Sequence, residues 1–212
     1  MWLPMFPLES IFFPGELVHL HIFEDRYKEL IRDVKEEDGV FGIPVYISGA
    51  IALGTEMKLE DIVATYEDGK LDVICSALRV FIINSFQNKW GSKKYAGGEV
   101  SHLPFYEDGS AEDRREVVQL VSRLYQLMGA DVLVNETENL DLHIWVHKIG
   151  LSLNQEYRLL QMTYESDRLR FLRKHLRNMI MVLMQVDSAK EMIGMNGHFK
   201  RFDPLDFKNF KF

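Results

Sequence analysis

Residues 106–116, YEDGSAEDRRE, divide the hydrophobic pattern of the chain in two, and this division limits what the chain can fold into. Before it, apolar residues alternate with period two or form short β-branched runs. After it, they recur at helical spacing. Strands followed by helices indicate an α+β protein rather than an alternating α/β one. Asp108, Gly109 and Ser110 supply the turn, and Ser110 is placed to cap the first helix of the second half.

The first half reads as strands with one helix. ELVHLHIF puts Leu17, His19 and His21 on one face and Val18, Leu20 and Ile22 on the other. VFGIPVYI is a second strand, in which Pro44 favours an edge or a bulge. Asp68-Gly69 marks a hairpin turn inside a long strand-forming stretch. KYAGGEVSHLPF is a further strand, closing at Pro104. Between the first two strands, EDRYKELIRDVKEED spaces Tyr27, Leu30, Ile31 and Val34 for one helix face, with Gly39 as its stop. Many short strands with one helix suggest a small bent barrel or two packed sheets.

In the second half, AEDRREVVQLVSRLYQLMG, LDLHIWVHKIGLS, NQEYRLLQMTYES and a long terminal segment predict four helices, the last ending near Gly194. The last helix has an apolar stripe (Leu169, Leu172, Leu176, Met179, Ile180, Leu183) and an opposite basic face of Arg170, Arg173, Lys174 and Arg177. That face suits solvent or, alternatively, an acidic partner. No internal repeat or low-complexity tract interrupts the chain.

An apolar fraction of 47% over 212 residues allows a real core, and no stretch reaches the ~20 apolar residues of a membrane helix. The opening MWLPMFPLE lacks the basic and long apolar regions of a secretory signal. Cys75 is the sole cysteine, which excludes an internal disulfide and fits a reducing, cytoplasmic setting. Residues 1–149 hold 14 Lys and Arg against 25 Asp and Glu, a net of −11; residues 150–212 hold 11 against 7, a net of +4. An acidic first part repels phosphate backbones and disfavours nucleic acid.

A search for chemistry returns little. There is no P-loop, no Gly-x-Gly-x-x-Gly turn, no Gly-x-Ser-x-Gly elbow and no His-Glu-x-x-His. His19 and His21, and His143 and His147, have spacings a metal would accept, but each pair lacks further ligands nearby in sequence. The acidic pairs flank glycines at turns, where solvated carboxylates are ordinary. No cofactor, no metal and no catalytic residue is therefore expected.

LPMFPLESIFFPGELVHLHIFEDRYKELIRDV, followed by FGIPV, ALGTEMKLEDI, DGKLDVICSALRVFII and YAGGEVSHLPF, resembles the N-terminal, substrate-binding domain of Lon-type ATP-dependent proteases. The match is carried by Leu3–Leu8, Pro14-Gly15, Ile22-Phe23-Glu24 and Arg26-Tyr27, and extends more loosely through ESDRLRFLRKHL. Ala77 and Val80 depart from the pattern, where a glycine and an aromatic are usual. The resemblance implies a β pseudo-barrel like that of PUA domains over 1–108 and a helical bundle over 109–194, without the ATPase and protease modules of full-length Lon. Residues 195–212 form an aromatic and basic tail.

Pro7 and Pro14 suit edges and turns, because each fixes a backbone angle and lacks an amide donor. Phe6, Phe12, Phe13 and Phe23 either fill the barrel or line a groove for an extended apolar peptide. Each buried ring contributes about 1.5–3 kcal/mol, so two or three contacts suffice for weak, sequence-tolerant capture. Arg26 and Tyr27 either anchor the helix or touch the ligand. In the tail, Phe199, Phe202, Phe207, Phe210 and Phe212 alternate with Lys200, Arg201, Lys208 and Lys211. The tail is expected to pack on its own domain, to enter a neighbouring copy, or to dock on another protein. The preferred function is a non-catalytic binding module for polypeptide segments, an adaptor in protein quality control with no membrane partner. The rivals are an RNA-binding PUA-like protein and an enzyme with dispersed catalytic residues.

Overall fold

The computed structural model describes residues 1–47, 49–130 and 145–199. The expected helix around His143 falls largely outside them, as do Phe202, Phe207, Phe210 and Phe212.

Six strands form one sheet: β1 (Trp2–Met5), β2 (Leu17–Ile22), β3 (Val40–Ile47), β4 (Ala50–Thr65), β5 (Leu71–Gln87) and β6 (Ala96–His102). Their order is β2-β5-β4-β3-β1-β6, and β6 also pairs with β5. The hydrogen-bonded ladder therefore runs from β5 through β4, β3, β1 and β6 back to β5. One long strand makes this closure: β2 pairs with Leu71–Ser76, and β6 pairs with Phe81–Gln87. Between these stretches, the Pro14-Gly15 turn takes over the edge. Gly15 N donates to Ala77 O and Ala77 N donates to Glu16 O, both at 2.8 Å. The departure at Ala77 thus sits within continuous strand.

Local signals explain the connections. Gly69 turns the β4–β5 hairpin with φ 77°, and the β3–β4 register shifts between Pro44 and Tyr46, at the proline. Bending requires close backbone approach at particular points. A Cβ on Gly54 would lie 2.5 Å from Ile43 O and 2.7 Å from the Phe81 ring. Phe81 is wholly buried there among Leu3, Met5, Ala96 and Val100.

Among the described residues there are four helices: α1 (Asp25–Glu36), α2 (Ala111–Leu127), α3 (Leu153–Leu160) and α4 (Glu165–Phe199). α1 buries Tyr27, Leu30, Ile31 and Val34, the predicted face, against Phe41, Met57, Val73 and Cys75. Ser110 caps α2 by accepting from Asp113 N at 3.0 Å. Ser152 and Gln155 make a capping box at α3. α4 continues to Phe199, past the stop expected at Gly194. A glycine inside a helix costs only about 1 kcal/mol relative to alanine, which a long helix tolerates.

The two halves share a core. Ile11 and Phe13 of the β1–β2 connection and Val45, Leu53 and Val80 of the sheet pack with Val117, Val121, Leu159, Leu169, Leu172 and Leu176 from the helices. In place of the turn expected at Asp108–Ser110, the segment 106–110 runs without one and is held to the start of α4, with Tyr106 bridging to Tyr164. Asp108 accepts from Ser166 N at 2.9 Å and Ser166 Oγ at 2.8 Å, and Tyr106 stacks on Tyr164 at 5.0 Å.

Candidate functional site

The shared core leaves a cleft of about 440 Å³ beside β2. One wall is Glu9–Phe12, the segment following β1; the other is His147 with Leu153 and Glu156 of α3; the floor is Glu16–His19. His147 ties its own wall to the floor. Its Nδ1 lies 2.9 Å from Glu156 Oε1 and its Nε2 lies 3.0 Å from Glu16 Oε1, with the Phe13 ring 5.7 Å away. The hydrogen bond to Glu16, opposed by burial and reinforced by Glu156, raises the imidazole from 6.5 to about 9. At neutral pH it is an imidazolium that donates to both carboxylates.

The cleft opens onto the outward face of β2. Leu17, His19 and His21 are exposed, as alternation predicts, and Phe23 continues the row beyond the strand. Leu17 is 69% and Phe23 58% exposed, large values for apolar side chains. Phe23 stacks on His21 at 6.2 Å, and Tyr66 meets the same imidazole edge-on at 5.9 Å. Asp72 fixes this group, accepting from Tyr66 Oη at 2.5 Å and lying 2.6 Å from His21 Nδ1. β2 also ends the strand order, so one of its edges has no strand beside it among the described residues.

The aromatic residues singled out from sequence separate by environment. Phe6, Phe13 and Tyr27 are core residues and offer no surface for a ligand. Phe6 stacks on Tyr27 at 3.7 Å and the Arg26 guanidinium lies 4.4 Å over the same ring, so this trio locks α1 onto the sheet. Phe12 is half-buried and lines the cleft. Pro7 and Pro14 are half-buried in the connecting segments. Among the described residues of this set, Phe23 is the exposed aromatic. From sequence, Leu17 stood out only as a strand-face residue and His147 only by its metal-compatible spacing from His143; Glu16, Leu153 and Glu156 did not stand out, because no local signal links Glu16 to a histidine 131 residues later.

The basic face of α4 is largely engaged within the chain. Arg173 reaches Asp113 at 2.6 Å and Glu116 at 2.8 Å, Arg177 also pairs with Glu116, and Arg170 pairs with Asp167 at 2.5 Å. The sequence reading offered solvent or an acidic partner. For Arg173 and Arg177, the acids are on α2 of the same chain. Lys174 is exposed, and Phe199 is the last residue of α4.

Away from the cleft, burial is the main perturbation at Cys75 and Arg168. Burial pushes the Cys75 thiol up to about 12, which makes it an inert core group. Burial also brings Arg168 down to about 10, where its guanidinium covers the Phe105 ring at 4.3 Å and donates to Met162 O at 2.9 Å. Among the described residues, no group of three or more His, Cys, Asp or Glu is placed to hold a metal ion, and no helix is long and apolar enough to cross a membrane.

Comparison with known proteins agrees with this architecture. A Lon N-terminal domain protein from Xanthomonas campestris superposes with a TM-score of 0.61 at 29% identity, over 81% of this chain and 96% of that one. The N-terminal domain of the Mycobacterium avium complex Lon protease superposes with a TM-score of 0.64 at 16% identity, over 84% and 98%. The comparison with curated proteins gave no match. The family model described as the ATP-dependent protease La (LON) substrate-binding domain matches residues 2–178. With the six-stranded sheet, α1, α2, α3 and the first part of α4 inside that span, the chain belongs to the Lon substrate-binding domain family.

Proposed function

We propose that this chain is a non-catalytic binding module for polypeptide segments, working as an adaptor in cytoplasmic protein quality control without a cofactor. The observation that carries this reading is the unbroken row from Leu17 through His19 and His21 to Phe23, which leads out of the His147 cleft. Such a row offers side-chain contacts at every second position of an extended peptide, and the free edge of β2 offers main-chain hydrogen bonds. Two apolar anchors with a polar, acidic surround give weak capture with little sequence preference. The family's name and the matched Lon domains support substrate binding as the general role.

The ring of paired strands supports the reading of 1–108 as a PUA-like pseudo-barrel, with 109–194 as a helical bundle. RNA binding is the weaker reading, because the cleft presents Glu9, Glu16 and Glu156 where a nucleic-acid surface needs cations. Fluorescence anisotropy with a labelled, permanently unfolded apolar polypeptide tests the proposal. Saturable binding that weakens several-fold in a Leu17→Ser/Phe23→Ser variant is expected. Binding that is absent, or identical in that variant, overturns it. Salt-sensitive binding of a labelled RNA in its place would favour the rival.

A further inference from the structure

The far half of α4 carries an apolar face that none of the described elements covers. Ile180, Met181, Met184, Ser188 and Met192 fall on one stripe at helical spacing and, with Leu120 of α2, line a groove of about 580 Å³. Met181, Met184 and Met192 are 54%, 50% and 60% exposed. Three exposed methionines on a single face are unusual for a surface that meets only water, and thioethers pack readily against aromatic rings. Apart from Arg177 at its near end, the groove residues of α4 lie beyond residue 178, where the family match ends.

We propose that this groove is a second apolar binding site, separate from the β2 cleft, and that its occupant is the chain's own segment 200–212. Three observations converge on that occupant. The segment follows directly on α4, whose last residue is Phe199, seven residues past Met192 of the groove. Its length suffices: residues 200–212 extend to roughly 43 Å, whereas Met181 lies only about 27 Å back along the helix from Phe199. Its composition is complementary, because it carries Phe202, Phe207, Phe210 and Phe212, and Pro204 is a residue that a helix interior disfavours.

Peroxide footprinting of the full chain tests this, with the oxidation of each methionine read by mass spectrometry. Removing residues 200–212 is expected to speed oxidation of Met181, Met184 and Met192 several-fold. Met5 and Met57, both fully buried, report whether the fold is intact. A full-length Phe207→Ser/Phe210→Ser variant is expected to show the same acceleration, and a synthetic peptide of residues 200–212 to restore protection to the truncated chain. Equal rates in all forms overturn the proposal. A Met184→Cys/Phe210→Cys variant separates the occupants, since Cys75 is buried and inert. A disulfide within one chain is expected; a bridge formed only between chains assigns the groove to a second copy and overturns the intramolecular reading.

Discussion

His147 Nε2 lies 3.0 Å from Glu16 Oε1, joining the turn that precedes β2 to the segment that precedes α3. With Glu156 on its other nitrogen, the imidazole clasps the sheet to the helices at the mouth of the cleft. Its protonated form is favoured by folding, and this sets the pH dependence. The contribution is complete below the ordinary value of 6.5 and is lost as pH rises through about 9. Because the ring is partly exposed, about 1 kcal/mol is the expected size. Urea unfolding midpoints should fall between pH 6.5 and 9, and His147→Gln should flatten that slope. An unchanged slope in the variant means that the clasp does not contribute.

Gly54→Val should be among the most damaging single changes in the sheet. The new side chain meets Ile43 O and the Phe81 ring at distances no real Cβ tolerates. Overpacking of this kind costs about 1–3 kcal/mol or more. Gly49→Val puts a side chain into open space but at positive φ, so backbone strain is its only cost. Thermal denaturation of the two variants distinguishes steric from conformational cost, with Gly54→Val expected to melt well below Gly49→Val.

Arg79→Ala tests the buried carboxylate of Glu56. That side chain is 1% exposed and has two hydrogen-bonding neighbours, the Arg79 guanidinium at 2.8 Å and the His102 imidazole. Removing the guanidinium leaves a buried charge with one partner, at a cost of about 1–3 kcal/mol. Pairing the change with Glu56→Gln should recover part of the loss. A double-mutant cycle from denaturant titrations measures the coupling, and simple additivity would show that the pair is independent.

Leu17→Ser and Phe23→Ser should leave stability within about 0.5 kcal/mol of the parent, since exposed positions away from packing rarely exceed that. Their effect is expected on polypeptide binding instead. Phe13→Ser provides the contrast. That ring is buried in the core shared by sheet and helices, and truncating it should cost about 3–5 kcal/mol in the same melts.

Much of this architecture was legible because its signals are local. The β2 alternation, the buried face of α1, the Asp68-Gly69 hairpin and the Ser110 cap each depend on residues a few positions apart, and periodicity or turn chemistry reports such relationships directly. The family resemblance rested on the same kind of spaced local pattern. The four phenylalanines of the opening stretch were different. Composition marks a Phe as apolar, but only packing separates Phe6 and Phe13, which are sealed in cores, from Phe23, which is left in water.

By itself the sequence determined the order of strands and helices, the place where period two gives way to period 3.6, and the absence of recognised catalytic motifs. Tertiary structure alone decided that β5 carries β2 on one stretch and β6 on the next, closing the ladder. It also decided that Arg173 and Arg177 are neutralised by α2, and that a histidine late in the chain clasps a glutamate at the first turn. The physical reason is range. Torsional preference and hydrophobic period act within a few residues, while ion pairs and cleft walls depend on which distant segments the collapse of a shared core brings into contact.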